Sequence, residues 1–298
     1  MSKILVTGGN GLVGKYLQNE LPGIYLSSKD YDLTKEADVI RMYEEHKPDV
    51  VIHLAAKVGG ILDNIKYPFE YYEDNVLMNT YIVKHARESD VKKFIGVLST
   101  CAYPDVVGEY PMTEDQLHFG VPNENNYGYG YSKRLMGVHI DIARKKGFEY
   151  CYIIPSNLYG EFEKGDYSKK HFVGSLLEKI KVANKEGHDK ITLFGDGTPL
   201  RQFTFAEDVA RVLIAMIRND VYENINVSTE ENISIDEMAR MALVATNSQH
   251  LKIEYDSTKP NGQYRKDVSI KKLKDIFPYF KFTSYIEGIA RVYNKINK

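Results

Sequence analysis

The sequence predicts an α/β fold: a doubly wound parallel sheet, with a smaller part toward the C-terminus. Three observations carry that expectation. Strand-like and helix-like runs alternate through the first half of the 298 residues, the pattern of a parallel sheet covered by helices on both faces. The first run, Ile4-Leu5-Val6, is short and wholly aliphatic, as a strand buried on both faces should be. It leads directly into a glycine-spaced turn, Thr7-Gly8-Gly9-Asn10-Gly11-Leu12-Val13-Gly14.

The elements follow in order. Strands are expected over 3–7, 23–26, 50–54, 93–98 and 149–154, with helices over 12–20, 35–46, 73–88 and 126–146 between them. Beyond residue 161 the alternation loosens. A helix is expected over 168–184, a strand over 191–194, a helix over 207–218, a strand over 224–227 and helices over 234–246 and 283–296. The architecture is therefore Rossmann-type, with residues 1–160 as a dinucleotide-binding domain to which 205–228 returns. Residues 161–204 and 229–298 form a substrate-binding part.

The glycine turn has a physical reading. Gly8 permits the tight turn, Gly11 lets a pyrophosphate approach the backbone, and Gly14 lets the helix pack on the strand. The helix N-terminus, at Leu12 and Val13, then presents N–H groups to phosphate. A bare strand-to-helix turn is the plainer explanation, but these glycines follow a strand and open a helix, which is the context the motif requires.

Composition bounds the rest. An apolar content of 43% supports a substantial core, and a net charge of −2 gives no reason to expect nucleic acid or an anionic membrane. No apolar run approaches the ~20 residues of a membrane span. Because the first apolar run is already a strand, no signal peptide is expected. The two cysteines, Cys101 and Cys151, make no disulfide framework, so a reducing cytoplasm is the expected setting. No His/Cys cluster has ligand spacing, and no metal is expected.

An acid about 20 residues beyond the turn would bond the ribose 2′-hydroxyl of NAD. Here the second strand ends Tyr25-Leu26-Ser27-Ser28-Lys29-Asp30. The hydroxyls of Ser27 and Ser28 with the Lys29 ammonium suit a 2′-phosphate, which points to NADP. Asp32-Leu33 could place a carboxylate near the adenine amine.

Two further segments carry chemistry: Ser99-Thr100-Cys101, and Tyr129-Gly130-Tyr131-Ser132-Lys133. On a helix, Tyr129 and Lys133 share a face. The lysine can then lower the phenol from its ordinary pKa of about 10 toward working pH. Tyr127 and Tyr131 have no such partner. Alone, the pair reads as an exposed helical contact; the upstream cofactor turn gives it weight.

Together these features resemble the extended short-chain dehydrogenase/reductase family, and within it the branch that epimerises and reduces GDP-linked 4-keto sugars. The resemblance runs through Ala55-Ala56-Lys57-Val58-Gly59-Gly60, Ser99 to Pro104, Pro155-Ser156-Asn157-Leu158-Tyr159-Gly160, Phe194 to Arg201 and Thr258-Lys259-Pro260-Asn261-Gly262. It implies C3/C5 epimerisation and NADPH-dependent C4 reduction of GDP-4-keto-6-deoxy-D-mannose, giving GDP-L-fucose or a close relative. Cys101 and His171 match the family's proton-transfer pair. The resemblance further implies that Tyr129 protonates the C4 oxygen, that Ser99 hydrogen-bonds it, and that Lys133 holds the nicotinamide ribose. Ala55, Ala56, Pro155, Asn157, Leu158 and His171 match cofactor-contacting positions. Arg201, Lys179, Phe194 and Asn261 match substrate positions, Arg201 as a bidentate partner for pyrophosphate. The family also implies a homodimer, for which the helices over 73–88 and 126–146 are the candidate surface.

The chain departs from the family pattern at Glu161-Phe162-Glu163-Lys164-Gly165-Asp166-Tyr167, where members often read Pro-His-Asp-Asn-Phe, and at Gly174, where proline is common. A C4 reductase acting on another GDP-4-keto sugar, such as a heptose, is therefore the alternative. A non-catalytic NADP-sensing protein is more remote, given intact Ser99, Tyr129 and Lys133. A dehydratase would carry acids beside Thr100, and a retained-NAD 4-epimerase fits the second strand less well.

Overall fold

The computed structural model describes residues 2–163, 171–259 and 261–298. In chain order its first elements are β1 (Ile4–Thr7), α1 (Leu12–Glu20), β2 (Ile24–Leu26), α2 (Glu36–His46), β3 (Val50–His53), α3 (Ile61–Lys66), α4 (Pro68–Glu88), β4 (Lys93–Val97), α5 (Tyr127–Lys145) and β5 (Glu149–Pro155). There follow β6 (Asn157–Tyr159), α6 (Phe172–Glu186), β7 (Lys190–Phe194), β8 (Leu200–Arg201), β9 (Phe203–Phe205), α7 (Ala206–Arg218), β10 (Ile225–Val227), β11 (Ile233–Ser234), α8 (Ile235–Ala245), β12 (Lys252–Asp256), α9 (Lys271–Ile276) and α10 (Tyr285–Ile296).

Six strands form one parallel sheet in the order β10-β5-β4-β3-β1-β2. Side chains alternate across it with the period of two that a strand imposes. Ile4, Val6, Ile52, Ile95, Cys151 and Ile153 enter one core, while Leu5, Val51, Phe94, Tyr150 and Tyr152 enter the other. Cys151 is thus core, and burial pushes its thiol well up. β10 returns to the sheet beside β5, pairing Ile225 with Ile153.

The chain leaves β1 toward β2 on one side, then crosses back to place β3 on the other. At such a reversal the loops after the two strands diverge and leave a crevice at their carboxyl ends. The loops after β1 and β3 meet at Gly8, which has φ +69°, and a Cβ there would stand 2.7 Å from the Ala55 nitrogen. A Cβ on Gly14 would stand 2.4 Å from the Gly9 oxygen, so α1 begins against its own turn only because that residue is glycine.

Several expectations shift. The helix expected over 73–88 starts at Pro68, with proline in its first turn, and α3 precedes it unforeseen. The aromatic run around Tyr67, Tyr71 and Tyr72 blurs the helical period there. The helix expected over 168–184 begins at Phe172, and residues 164–170 lie outside the described residues. β6, β8, β9 and β11 are two or three residues long, too short for periodicity to reveal. β12 pairs in parallel with β7, and β6 with β9.

Candidate active site

A cavity of about 1110 Å³ opens at the carboxyl ends of β1 and β3 and runs to β7 and β8. Pockets for small ligands run to roughly 1,000 Å³, so this space stands at the upper end of that range. Every site residue expected from the sequence lines it except Lys29, which sits on the exposed turn after β2.

At the cofactor end, Gly8, Gly11, Leu12, Val13 and Gly14 form a bare backbone cradle at the start of α1. Side chains on Gly8 and Gly14 would collide with backbone, as shown above, so the cradle is shaped for something that approaches the main chain. Ser27 and Ser28 line the wall beyond it. The Ser27 hydroxyl and N–H both donate to Asp30, at 2.8 and 2.7 Å. Asp32 also lines the wall, but its carboxylate accepts from the Thr34 hydroxyl at 2.7 Å and pairs with Lys35. The Asp32 carboxylate serves its own turn, which weakens the expected adenine contact.

The middle of the cavity holds the reactive side chains. Ser99 lies two residues beyond β4 and caps a short 3₁₀ turn, Thr100–Ala102, accepting from the Cys101 N–H at 3.2 Å. α5 packs directly on this turn: a Cβ on Gly130 would stand 2.5 Å from the Cys101 carbonyl oxygen. The buried Arg134 guanidinium donates to the Ala102 and Gly120 carbonyls and locks the two together. Beneath them, buried His53 bridges Thr7 on β1, at 2.7 Å, and Asn79 on α4, at 3.0 Å; Asn79 donates onward to the Ser132 carbonyl of α5. Four elements that frame the site are thus tied by one polar chain.

Tyr129 and Lys133 lie one turn apart on α5 and both line the cavity, as their spacing requires. The expected electrostatic effect differs. The Lys133 ammonium donates to the Val97 carbonyl at 2.8 Å, at the end of β4, and burial pushes it down to about 7. The Tyr129 phenol is pushed well up by burial, with the Cys101 thiol adding to the rise and a Ser99 hydrogen bond opposing it. Tyr129 is therefore a neutral proton donor at ordinary pH. The correction has a simple cause: the lysine ammonium ends on the Val97 carbonyl rather than on the phenol.

Cys101 has a partner that the sequence did not disclose. The Lys266 ammonium lies 3.5 Å from its sulfur and is nearly buried, at 9% exposure. Burial pushes the thiol up, yet Lys266 and hydrogen bonds with Ser99 and Asn126 outweigh that and hold it below its ordinary value. Lys266 itself is pushed down, chiefly by burial. In the sequence, Arg265-Lys266-Asp267 reads as a solvated charge run. Arg265 and Asp267 pair with each other at 2.6 Å, and Lys266 between them turns to the Cys101 sulfur instead. Asn126, the N-cap of α5, was likewise missed; its Oδ1 is buried beside the cavity with no hydrogen-bond partner among the described residues. His171, the N-cap of α6, lines the same space, and its Nδ1 meets Glu163 at 2.6 Å.

The far end is basic and aromatic. Burial pushes the Arg201 guanidinium down to about 10, which leaves it a cation; it donates to the Leu200 carbonyl at 2.7 Å. The Lys179 ammonium sits 5.1 Å over the Phe194 ring and donates to the Thr192 carbonyl. The Asn261 side-chain oxygen accepts from the Asp196 N–H at 2.9 Å, fixing the turn after β7. Pro155, Asn157 and Leu158 lie between the two ends, and the Asn157 amide donates to the Gln202 carbonyl at 2.8 Å. Among the described residues no group of acids, histidines and cysteines could hold a metal ion. No helix among them is long and apolar enough to cross a membrane.

Comparison with known proteins agrees with this geometry. Residues 4–228 match the model of the NAD dependent epimerase/dehydratase family. The chain is 34% identical to the GDP-L-fucose synthase of Dictyostelium discoideum, over 96% of this chain and 92% of that one. It is 30% identical to the GDP-L-fucose synthase of Sinorhizobium fredii, over 98% and 94%. A GDP-L-fucose synthetase from Naegleria fowleri, solved bound to NADP, superposes with a TM-score of 0.87 at 31% identity, over 99% of this chain and 94% of that one.

Proposed function

The chain belongs to the NAD dependent epimerase/dehydratase family, and from that premise we propose that it converts GDP-4-keto-6-deoxy-D-mannose to GDP-L-fucose with NADPH. The observation that carries this reading is the meeting of Ser99, Cys101, Tyr129, Lys133 and His171 in one cavity, between a glycine cradle and a basic, aromatic end. The cradle fits a dinucleotide pyrophosphate, Ser27 and Ser28 fit its 2′-phosphate, and Lys133 fits the nicotinamide ribose. The chemistry that NADPH supplies when bound is hydride delivery to C4.

The protein supplies the proton traffic. The C4 ketone acidifies the C3 and C5 hydrogens. Cys101, held toward its thiolate by Lys266, takes a proton from carbon; His171 returns one on the opposite face. Ser99 donates to the C4 oxygen, where charge develops during both steps. Tyr129, a neutral acid, gives its proton to the alkoxide formed on reduction. Arg201 and Lys179 bind the GDP phosphates, Phe194 stacks on the base, and Asn261 holds the turn that shapes this end, a reading supported by the basic and aromatic lining there. Asn126 Oδ1 is placed to accept from a sugar hydroxyl.

The GDP sugar is bound across the part formed by 161–204 and 229–298, with 1–160 and 205–228 carrying the cofactor. A homodimer is supported by exposed apolar side chains on the adjoining helices α4 and α5: Leu77 on one, Leu135, Val138 and Ile142 on the other. Such a C₂ contact would be isologous. A cytoplasmic setting is supported by the two unpaired thiols.

The test is to supply GDP-4-keto-6-deoxy-D-mannose and NADPH and identify the sugar product by NMR. The fuco-configured product is expected. Oxidation of NADPH with an unepimerised product would reduce the protein to a C4 reductase. No oxidation with any GDP-4-keto sugar would sink the proposal.

A further inference from the structure

Within the segment that departs from the family pattern, Glu163, an acid where that pattern also has one, sets a carboxylate behind His171. Glu163 is the last described residue of that segment, and its side chain is only 9% exposed. Its Oε1 accepts twice from His171, from the backbone N–H and from ring Nδ1, each at 2.6 Å. Its Oε2 is buried with no hydrogen-bond partner among the described residues. An isolated buried carboxylate is costly, and among the described residues the two bonds to His171 are the contacts that hold it there.

The consequence follows from donor and acceptor chemistry. A carboxylate only accepts, so Nδ1 of His171 must carry a hydrogen. In the neutral ring Nε2 is then the bare nitrogen, and in the charged ring it is the one that can release a proton. The ring is 41% exposed and lines the cavity. Its far edge, bearing Nε2, is the part left to meet a ligand.

We propose that Glu163 is a positioning residue for proton transfer at His171: by gripping Nδ1 it fixes the tautomer and leaves Nε2 as the atom that exchanges a proton with the sugar carbon. The proposal rests on His171 acting in epimerisation. The rival role is purely local, a carboxylate stabilising the N-terminus of α6.

Two readouts separate these roles. With ¹⁵N-histidine-labelled protein bound to NADP, long-range ¹H–¹⁵N spectra report the tautomer of His171. Wild type should show Nδ1–H. Glu163→Ala should shift toward Nε2–H, and Glu163→Gln, whose side-chain oxygen still accepts, should restore Nδ1–H. In deuterated solvent, deuterium incorporated at C3 and C5 per hydride transferred should fall about tenfold or more in Glu163→Ala, with KM for the GDP sugar within about twofold, and recover to within about threefold of wild type in Glu163→Gln. A cap of α6 would lower the melting temperature without moving the tautomer or the deuterium ratio, and that result overturns the proposal. So does a wild-type ring in the Nε2–H form, a measurement that needs no variant to fold. Absence of deuterium uptake by wild type would instead overturn the epimerase reading, while the tautomer still judges Glu163.

Discussion

The Lys266 ammonium stands 3.5 Å from the Cys101 sulfur, although the two are far apart in sequence. The contact is built by short bridges, Leu200 with Arg265 and Met112 with Val268, which pin the segment carrying Lys266 along the rim of the site. A cation so close favours the thiolate. Lys266→Met should therefore slow alkylation of Cys101 by iodoacetamide at pH 7.5 by about tenfold, while Lys266→Arg retains most of the rate. Equal rates in wild type and Lys266→Met would show that the ammonium does not govern the thiol.

Cys101→Ser separates epimerisation from reduction. Serine keeps the size but not the acidity, since a thiol ionises near pH 8.5 and an alcohol far above it. Solvent deuterium uptake at C3 and C5 should drop by roughly 10²-fold or more, in line with the loss of an acid–base group. NADPH oxidation should persist at a reduced level and give the unepimerised 6-deoxyhexose. Wild-type deuterium uptake in the serine variant would remove Cys101 from the mechanism.

Tyr129→Phe tests the reduction step. Loss of a positioned general acid costs typically 10²–10⁴-fold, and NADPH oxidation should fall by about that much with NADP affinity preserved. Because burial raises the Tyr129 phenol, the wild-type reduction rate should show no alkaline limb from this group below about pH 9. A phenylalanine variant with near-normal hydride transfer would exclude the assignment.

The parts of this molecule that a sequence discloses are those set by local periodicity. The aliphatic strands β1, β3, β4 and β5 and the helices α1, α2 and α5 stand within one or two residues of expectation, because each is specified by its own side-chain pattern. Ser99, Tyr129 and Lys133 were legible through motif spacing. Lys266, Asn126 and Glu163 were not, because each acquires its neighbour through tertiary contact: Lys266 by the bridges that pin its segment along the site, Asn126 by opening α5 beside the 3₁₀ turn, Glu163 by its carboxylate meeting the His171 ring. The behaviour of Lys133 was misread for the same reason. Helical spacing sets which face it occupies, but the Val97 carbonyl sets where its ammonium ends.

His53 should dominate the acid stability of the fold. It is fully buried, and burial, with the nearby Lys133 charge adding, pushes it down to about 3 against the opposing Asn79 hydrogen bond. The neutral ring satisfies both neighbours, accepting from one and donating to the other. The sign follows from proton binding. The unfolded chain protonates this histidine below about pH 6.5, and the folded chain does not until about pH 3. Between those values the unfolded state holds the extra proton, so stability is fully present above 6.5 and is lost as pH falls toward 3. The interval corresponds to an upper limit of about 4–5 kcal/mol. Urea unfolding at pH 7.5, 6.0, 5.0 and 4.0 should show wild type losing stability steadily below about pH 6.5. His53→Gln should be less stable at pH 7.5, having disturbed the link from Thr7 to Asn79, yet decline less steeply with acid. A slope in His53→Gln as steep as that of wild type would assign the acid sensitivity to other groups.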